Sequence, residues 1–283
     1  MPQRSAPTAR QRRLGYELRR LRERAGLSAT EAGQLLGVQQ SRISNTEAGR
    51  IPISPERVRT FAHAYQCPDA DLIEALAGMP SGRARNWWDE YRETLPAGLL
   101  DLAEMEHHAT RIRTAQVTHI PGVLQTVDYA RLVFRQSIPA LPPPEVEFRV
   151  SHRVKRQGIL YRDVPTPFTA VIHEAALRMK FGGVAVTREQ LEHVADMSER
   201  PEIAVRVIPF EAGIFPGSGQ TIVLAEGPVP QLDTVQLDVA HGFELVHAEV
   251  ALEKYRMVLD RMEAMALDPE PSTEFIRSLA SAL

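Results

Sequence analysis

A short polar run carries the side chains of this sequence that are best suited to recognise DNA bases. It consists of Gln39, Gln40, Ser41, Arg42, Ile43, Ser44 and Asn45. Glutamine and asparagine form paired hydrogen bonds with adenine, arginine does so with guanine, and serine is permissive. A helix from Gln39 to Glu47 has Ile43 as its single strongly apolar position, so its polar side chains face outward. The run predicts a helix in the major groove of double-stranded DNA, and the alternative is a solvated helix that binds nothing.

The elements before this run favour DNA recognition over the solvated helix. Three leucines are spaced at i, i+4 and i+7: Leu14, Leu18 and Leu21. This spacing predicts an amphipathic helix from Gln11 to Ala25. Ser28 and Glu31 form a capping box that starts a second helix to about Leu36, and Gly37 stops it before the polar run. Two helices and a turn at Gly37 therefore precede the polar helix in direct succession.

Two more helix starts complete an all-α N-terminal domain. Ser54 with Pro55 provides an N-cap and first helical position, and Asp69 provides another N-cap. Five short helices are therefore predicted in residues 1–77, followed by a glycine- and serine-containing linker at 78–86.

Charge is distributed unevenly along the chain. Residues 1–66 contain 12 arginines and 5 acids, a balance of +7, whereas the net charge of all 283 residues is -3, so the remainder carries -10. A basic end suits a polyanion such as DNA. Arg10, Arg12 and Arg13 are predicted to form an arm or to meet phosphates, and the alternative for each alone is a solvated face. Without a signal peptide or a long apolar run, the chain is expected to be soluble and cytoplasmic.

Residues 87–283 predict a second domain of α+β class. Helical signals extend from Trp87 to about Phe134, including a stripe from Leu99 to Ile112. Strands are predicted at Phe168–Ile172, Ile203–Ile208, Thr221–Ala225 and Thr234–Val239. Apolar residues at 3-4 spacing predict one long helix from Leu245 to Ala266, whose stripe faces either the core, which we favour, or a dimer partner.

Motifs for catalysis or metal binding are weak in this sequence. His107 and His108 follow two glutamates, but adjacent histidines point to different sides of a helix and H-E-x-x-H is missing. The single cysteine, Cys67, lies in no nucleophile motif, and the sequence has neither a phosphate-binding loop nor a nucleophile elbow. We therefore expect no enzyme activity, no cofactor, no metal site and no catalytic residue.

The helix-turn-helix segment resembles a known family of regulators. The resemblance covers residues 27–50, which read LSATEAGQLLGVQQSRISNTEAGR. It is similar to the λ-repressor-like helix-turn-helix of xenobiotic-response-element (XRE) regulators, with Gly33 at the helix crossing and Ile43 in the core. The resemblance implies a homodimer that binds DNA, with Arg50 among the residues that meet the DNA backbone and Glu47 paired with an arginine of the first helix. Ala29 departs from the family pattern.

The second domain resembles the uncharacterised domain that follows such motifs in actinobacterial regulators of the WhiJ type. The matching segments are 119–126, 128–130, 172–178, 182–183, 190–191 and 205–210, with Arg149 and Arg153. The resemblance implies a transcriptional regulator whose C-terminal domain receives a signal from a small acidic partner protein or a ligand. The alternatives are an antitoxin that represses its own operon and a metabolite-sensing or enzymatic domain fused to a helix-turn-helix.

Overall fold

The computed structural model describes residues 6–80, 86–217, 219–239 and 242–283. The chain divides into two compact units, Met1–Asp89 and Glu90–Leu283. Residues 81–85, in the middle of the linker predicted at 78–86, lie outside the described residues.

The first unit contains five helices, as the sequence predicts. They are α1 (Ala9–Arg24), α2 (Ala29–Leu35), α3 (Gln40–Glu47), α4 (Pro55–Ala64) and α5 (Ala70–Ala77). Their apolar faces meet in a core that includes Leu18, Ile43, Phe61 and Leu76, all almost fully buried. The five-helix prediction is therefore confirmed.

Side-chain caps fix where these helices begin. The Ser28 hydroxyl accepts a hydrogen bond from the Glu31 amide while the Glu31 carboxylate accepts one from the Ser28 amide, which confirms the predicted capping box. Asp69 likewise accepts from the Leu72 amide at the start of α5. A second capping box, between Thr8 and Gln11, starts α1 at Ala9 and was not anticipated.

The second unit contains seven helices and six strands within its described residues. The helices are α6 (Ala97–His108), α7 (Val127–Arg135), α8 (Pro143–Arg156), α9 (Glu174–Arg178), α10 (Val184–Met197), α11 (Glu249–Met265) and α12 (Pro269–Ser281). The strands are β1 (Arg111–Gln116), β2 (Phe168–His173), β3 (Ile203–Ile208), β4 (Ile222–Glu226), β5 (Thr234–Val239) and β6 (Gly242–Val246).

The six strands form one sheet in the order β3-β2-β1-β4-β5-β6. Strands β1, β2 and β3 are parallel, whereas β4, β5 and β6 continue the sheet antiparallel. One face packs against a layer that includes α10 and α12, through residues such as Ile112, Val205 and Leu191. The other face packs against α11, through residues such as Leu224 and Leu259. The α+β prediction is confirmed, with a larger sheet than the four predicted strands.

Two boundaries differ from the sequence prediction. The helical stripe predicted through Ile112 is wrong beyond Ala109, where extended backbone ends α6 and β1 begins. β1 lies between β2 and β4, so its backbone bonds come from distant strands rather than from a helix. The C-terminal helix starts at Glu249 rather than Leu245, because Leu245 pairs with Gln236 across β6 and β5.

The apolar stripe of α11 faces the sheet. Leu252, Leu259 and Met262 are buried there, which confirms the core interpretation of this stripe. A further helix, α12, follows it and was not predicted. Across the described ranges no helix has the length and apolar character needed to cross a membrane.

Candidate nucleic-acid interface

Helix α3 presents a polar face to solvent. The side chains of Gln39, Gln40, Ser41, Arg42 and Ser44 are exposed, and Asn45 is partly buried. Ile43 and Thr46 point the other way and are buried. At 100° per residue, the direction opposite to this buried pair falls among Ser41, Ser44 and Asn45, with Gln40 and Arg42 on either side. The structure thus brings Gln40, Ser41, Arg42, Ser44 and Asn45 onto one accessible surface. Gln39 occupies the N-cap position, where its side chain forms no capping hydrogen bond.

A hydrogen bond within this surface fixes one candidate side chain. The Gln40 amide Nε2 donates to the Ser44 hydroxyl, one helical turn away, at 2.7 Å. One amide hydrogen and the amide oxygen of Gln40 remain for other partners, which is the pair of groups that adenine recognition requires. The bond therefore restricts the Gln40 rotamer without using up its capacity to bind a base.

Close backbone approaches set the angle between α2 and α3. A Cβ atom added to Gly33 would lie 2.7 Å from the Val38 carbonyl oxygen, so only glycine fits at this crossing. Gly37 has φ +63°, in the left-handed region that favours glycine. Both glycines perform the roles that the sequence predicted for them.

A third close approach joins α1 to the end of α3 and was not predicted. A Cβ atom on Gly15 would lie 2.3 Å from the Glu47 carbonyl oxygen. Gly15 sits inside a long helix, where glycine is unfavourable by roughly 1 kcal/mol relative to alanine. A glycine in the interior of a strongly patterned helix is the one sequence signal that would have indicated this contact.

A buried ion pair attaches α3 to α1. The Arg22 guanidinium donates to both carboxylate oxygens of Glu47, at 2.7 and 3.0 Å, and to the Leu27 carbonyl at 2.6 Å. The hydrogen bond to Glu47 raises the pKa of Arg22, and burial together with Glu47 raises the pKa of Tyr65 to about 12. The predicted pairing of Glu47 with an arginine of the first helix is confirmed, so Glu47 attaches α3 to α1.

The other basic residues separate into exposed and engaged groups. Arg50 is exposed just after α3. Arg59 binds both oxygens of Glu74 at 2.8 and 2.7 Å, and the Arg57 guanidinium lies 5.5 Å from the centre of the Phe61 ring. Within the described part of the chain, Arg50 is therefore the one of the three whose side chain is engaged in neither an ion pair nor a ring contact.

The N-terminal arm predicted at Arg10, Arg12 and Arg13 is wrong, because all three lie within α1, whereas their contact with phosphates stays a prediction. Arg10 donates to the carbonyl oxygens of Met79 and Gly78, and Arg13 pairs with Glu17 at 3.0 Å. The Thr8 cap explains the difference, since it starts the helix upstream of these arginines.

A second cluster of polar groups lies in the C-terminal unit, where β1 ends. The loop that follows β1 contains His119, and the Gln125 amide ties it together by donating to the Ile120 carbonyl at 2.8 Å. Arg153 of α8 donates from Nη1 to the Gln125 amide oxygen at 2.5 Å and lies 4.3 Å from the centre of the Phe134 ring. The carboxyl ends of parallel strands are where open α/β sheets bind ligands.

Arg153 is the unusual group in this cluster. Its Nε atom is buried with no hydrogen-bond partner within the described part of the chain. Burial lowers the pKa of Arg153 to about 9, with a further lowering by Arg156, while Glu106 and Asp238 oppose it. Arg156 itself is neutralised by a buried two-point pair with Glu106, at 2.7 and 2.5 Å. Arg153 therefore retains an Nε–H donor without an acceptor, and a positive charge that the surrounding side chains only partly offset.

Three histidines of this unit, including His107 and His108, have structural contacts. His173 accepts a hydrogen bond from the Ala175 amide and so caps α9, and the Glu174 carboxylate accepts one from the Phe210 amide. The rings of His107 and His108 lie edge to face, 5.0 Å apart. Among the described residues no three histidine, cysteine, aspartate or glutamate side chains are grouped to hold a metal ion.

Comparison with known families agrees with this division of the chain. A helix-turn-helix domain model matches residues 13–76, which contain α2, α3 and the surface just described. A second model, described as a domain of unknown function (DUF5753), matches residues 99–278, well over half of the chain. The chain belongs to the DUF5753 family. Neither the curated proteins nor the solved structures contain a match to it. Together the two models indicate a DNA-binding regulator with an appended DUF5753 domain.

Proposed function

We propose that this DUF5753 protein is a sequence-specific transcriptional regulator of the XRE type, and more narrowly of the actinobacterial WhiJ type. It binds an inverted-repeat operator as a homodimer and responds to a signal received by its C-terminal domain. The observation that carries the proposal is the exposed face of α3, where Gln40, Ser44 and Asn45 stand on a helix fixed by the buried Arg22–Glu47 pair. A helix whose polar face only contacts water would not require a buried ion pair to hold it in place.

The homodimer follows from the size of one recognition helix. A helix of eight residues contacts only a few base pairs, and regulators of this kind reach useful affinity by placing two copies about one helical turn, roughly 10 base pairs, apart. Two-fold symmetry of the protein then appears as an inverted repeat in the operator.

Base contacts can be tested by comparing operator and random DNA. Gln40→Ala or Asn45→Ala should each weaken operator binding by about 1–3 kcal/mol and leave binding to random DNA nearly unchanged. Gln220→Ala is a matched control, because Gln220 is an exposed glutamine of the other unit. Fluorescence anisotropy with labelled duplexes measures both affinities. Equal losses on operator and random DNA would reject base recognition by α3.

For the signal, the cluster around Arg153 favours a small anionic ligand over a partner protein. The buried, unsatisfied Nε atom offers a charged hydrogen bond to a carboxylate or phosphate, which binds arginine strongly. Arg153→Gln should bind the operator like the parent in vitro but lose regulation of an operator-controlled reporter in cells. A variant that regulates the reporter normally would remove Arg153 from the signalling site and leave a protein partner as the source of the signal.

A further inference from the structure

Helix α11 exposes an outer face opposite the side that packs on the sheet. Its exposed members are Val250, Glu253, Lys254, Met257, Asp260, Arg261 and Ala264, hereafter the outer face of α11. Two of these are large apolar side chains: Val250 is 82% exposed and Met257 is 66% exposed. They lie seven residues apart, so both point in nearly the same direction along the helix.

The outer face borders a groove. Its volume is about 400 Å³, and it is lined by Val250, Glu253, Lys254, Met257, Val258 and Arg261 on the helix and by Pro216 and Gly217 on the neighbouring loop. A Cβ atom on Gly217 would lie 3.4 Å from the Val258 side chain, so the loop packs closely on α11. The lining residues of α11 extend from Val250 to Arg261, eleven steps of about 1.5 Å or roughly 16 Å along the helix axis.

The order of side chains along this face identifies the occupant. The sequence is complementary to itself when a second α11 runs antiparallel with Met257 on the two-fold axis. Three residues from the axis, Lys254 then faces Asp260 of the other copy, and four residues from it Glu253 faces Arg261. Every charge meets the opposite charge, whereas a parallel arrangement would place each charge against itself.

The apolar residues agree with the same axis. Met257 meets its own copy at the centre, and seven residues away Val250 faces the small Ala264. A large side chain opposite a small one allows two helices to approach closely. Both the charged and the apolar residues thus select one register.

We propose that a second copy of this chain binds the outer face of α11 in this antiparallel arrangement. The inference deepens the proposed function, because it names the surface that joins two DNA-binding domains.

The charged groups of the outer face are available for such pairing. In the described part of the chain Glu253, Lys254 and Arg261 form no ion pair. Asp260 binds Arg113 at 2.7 Å through Oδ1, yet its side chain is 66% exposed, so the carboxylate can accept a second donor. A single helix pair buries less than the roughly 1,200 Å² of a standard stable interface, so we expect a weak dimer that dissociates on dilution.

Charge reversal tests the register directly. Glu253→Arg places two arginines together at both symmetric positions, and Arg261→Glu places two glutamates together. Each single variant should dissociate at least tenfold more readily than the parent in sedimentation equilibrium of the full chain without DNA. The double variant Glu253→Arg/Arg261→Glu should restore the parent value. Because the two positions are eight residues apart, the exchange creates no new pair between them within one helix.

Crosslinking tests the axis independently. In a Cys67→Ser background, Met257→Cys should form a covalent dimer under mild oxidation, since the introduced thiols face each other. Val250→Cys is the matched control, because in the antiparallel arrangement its two copies lie about 21 Å apart along the axis, beyond disulfide reach. A parallel pair would crosslink at both positions.

Several results would overturn the proposal. These are a chain that stays monomeric at every concentration, single charge reversals that dimerise like the parent, or a double variant that is not rescued. Any of them would exclude the antiparallel pairing of two copies through the outer face of α11. Because the mass is measured without DNA, such a result leaves the test of base recognition by Gln40 and Asn45 unaffected, so failures of the two proposals are distinguishable.

Discussion

Removal of the Glu47 carboxylate should loosen the attachment of the recognition helix. In the parent, the side chains of Arg22 and Glu47 are 9% and 7% exposed, so the ion pair is shielded from water. Glu47→Ala leaves the Arg22 guanidinium buried without its carboxylate. Breaking such a pair costs roughly 3–5 kcal/mol.

The expected magnitude lies at the low end of this range. Arg22 keeps its hydrogen bond to the Leu27 carbonyl and lies 3.7 Å from the Glu23 carboxylate, which is half exposed. These contacts replace part of what Glu47 provided. We therefore expect the free energy of unfolding of the N-terminal domain to fall by about 3 kcal/mol.

Amide hydrogen exchange is the appropriate assay because the chain has two units and is not expected to unfold in one step. Peptides from α1 and α3 should exchange about 150-fold faster in Glu47→Ala, while peptides from the sheet of the C-terminal unit should be unchanged. Operator affinity should fall in parallel, since α3 would be correctly placed in a smaller fraction of molecules.

An exposed ion pair in the same unit provides the control. Arg59 and Glu74 form equally short bonds, but their side chains are 40% and 61% exposed. Exposed pairs contribute little to stability, so Glu74→Ala should leave exchange nearly unchanged. If Glu47→Ala accelerates exchange in α1 and α3 no more than Glu74→Ala does, burial of the Arg22 pair is not what fixes α3.

Three further predictions concern packing, phosphate contact and pH. Gly15→Ala should lower the free energy of unfolding by about 1–3 kcal/mol, although alanine has a better helix propensity than glycine. Gly158→Ala is the control, because a Cβ atom added there would meet no atom within 4 Å, so this variant should unfold like the parent in thermal denaturation. Arg50→Ala should weaken binding to operator and to random DNA by the same factor, and should reduce the slope of log K against log salt concentration by about 1. An unchanged slope would exclude a phosphate contact by Arg50. Burial, with three nearby cations, lowers the pKa of His152 to about 3. Below about pH 6.5 the unfolded chain therefore binds a proton at His152, whereas the folded chain keeps this side chain neutral. Stability should therefore fall by about 2 kcal/mol between pH 7 and pH 5, and His152→Phe should abolish that share of the loss.

The helices of the first unit were predictable because their boundaries depend on neighbours in the chain. Ser28 and Glu31 cap one another within four residues, and Asp69 caps α5 through the Leu72 amide. Such signals need no knowledge of tertiary structure. The polar face of α3 was predictable for the same reason, since the buried position of Ile43 follows from helical spacing alone.

Strand β1 was not predictable in this way because its polar residues find their partners far along the chain. Arg113 pairs with Asp260 and Glu263 of α11, about 150 residues away, and the Thr114 hydroxyl donates to the Ile222 carbonyl. Local sequence therefore shows polar side chains where a buried central strand is normally apolar. The environment of Arg153 is likewise formed by residues of other elements, such as Gln125 and Phe134, so the sequence alone did not show that its Nε atom is buried without a partner.

The weak dimer expected at α11 has a consequence for regulation. If the operator binds two joined copies more tightly than two separate ones, then by thermodynamic linkage the operator must strengthen α11 pairing by the same factor. Well below the dissociation constant of the dimer, the occupancy of a sparsely filled operator then rises with the square of protein concentration. A signal that alters pairing by 1.4 kcal/mol would change operator affinity about tenfold without touching α3. The proposed dimer surface would therefore let the DUF5753 domain control DNA binding through Met257 and its charged neighbours.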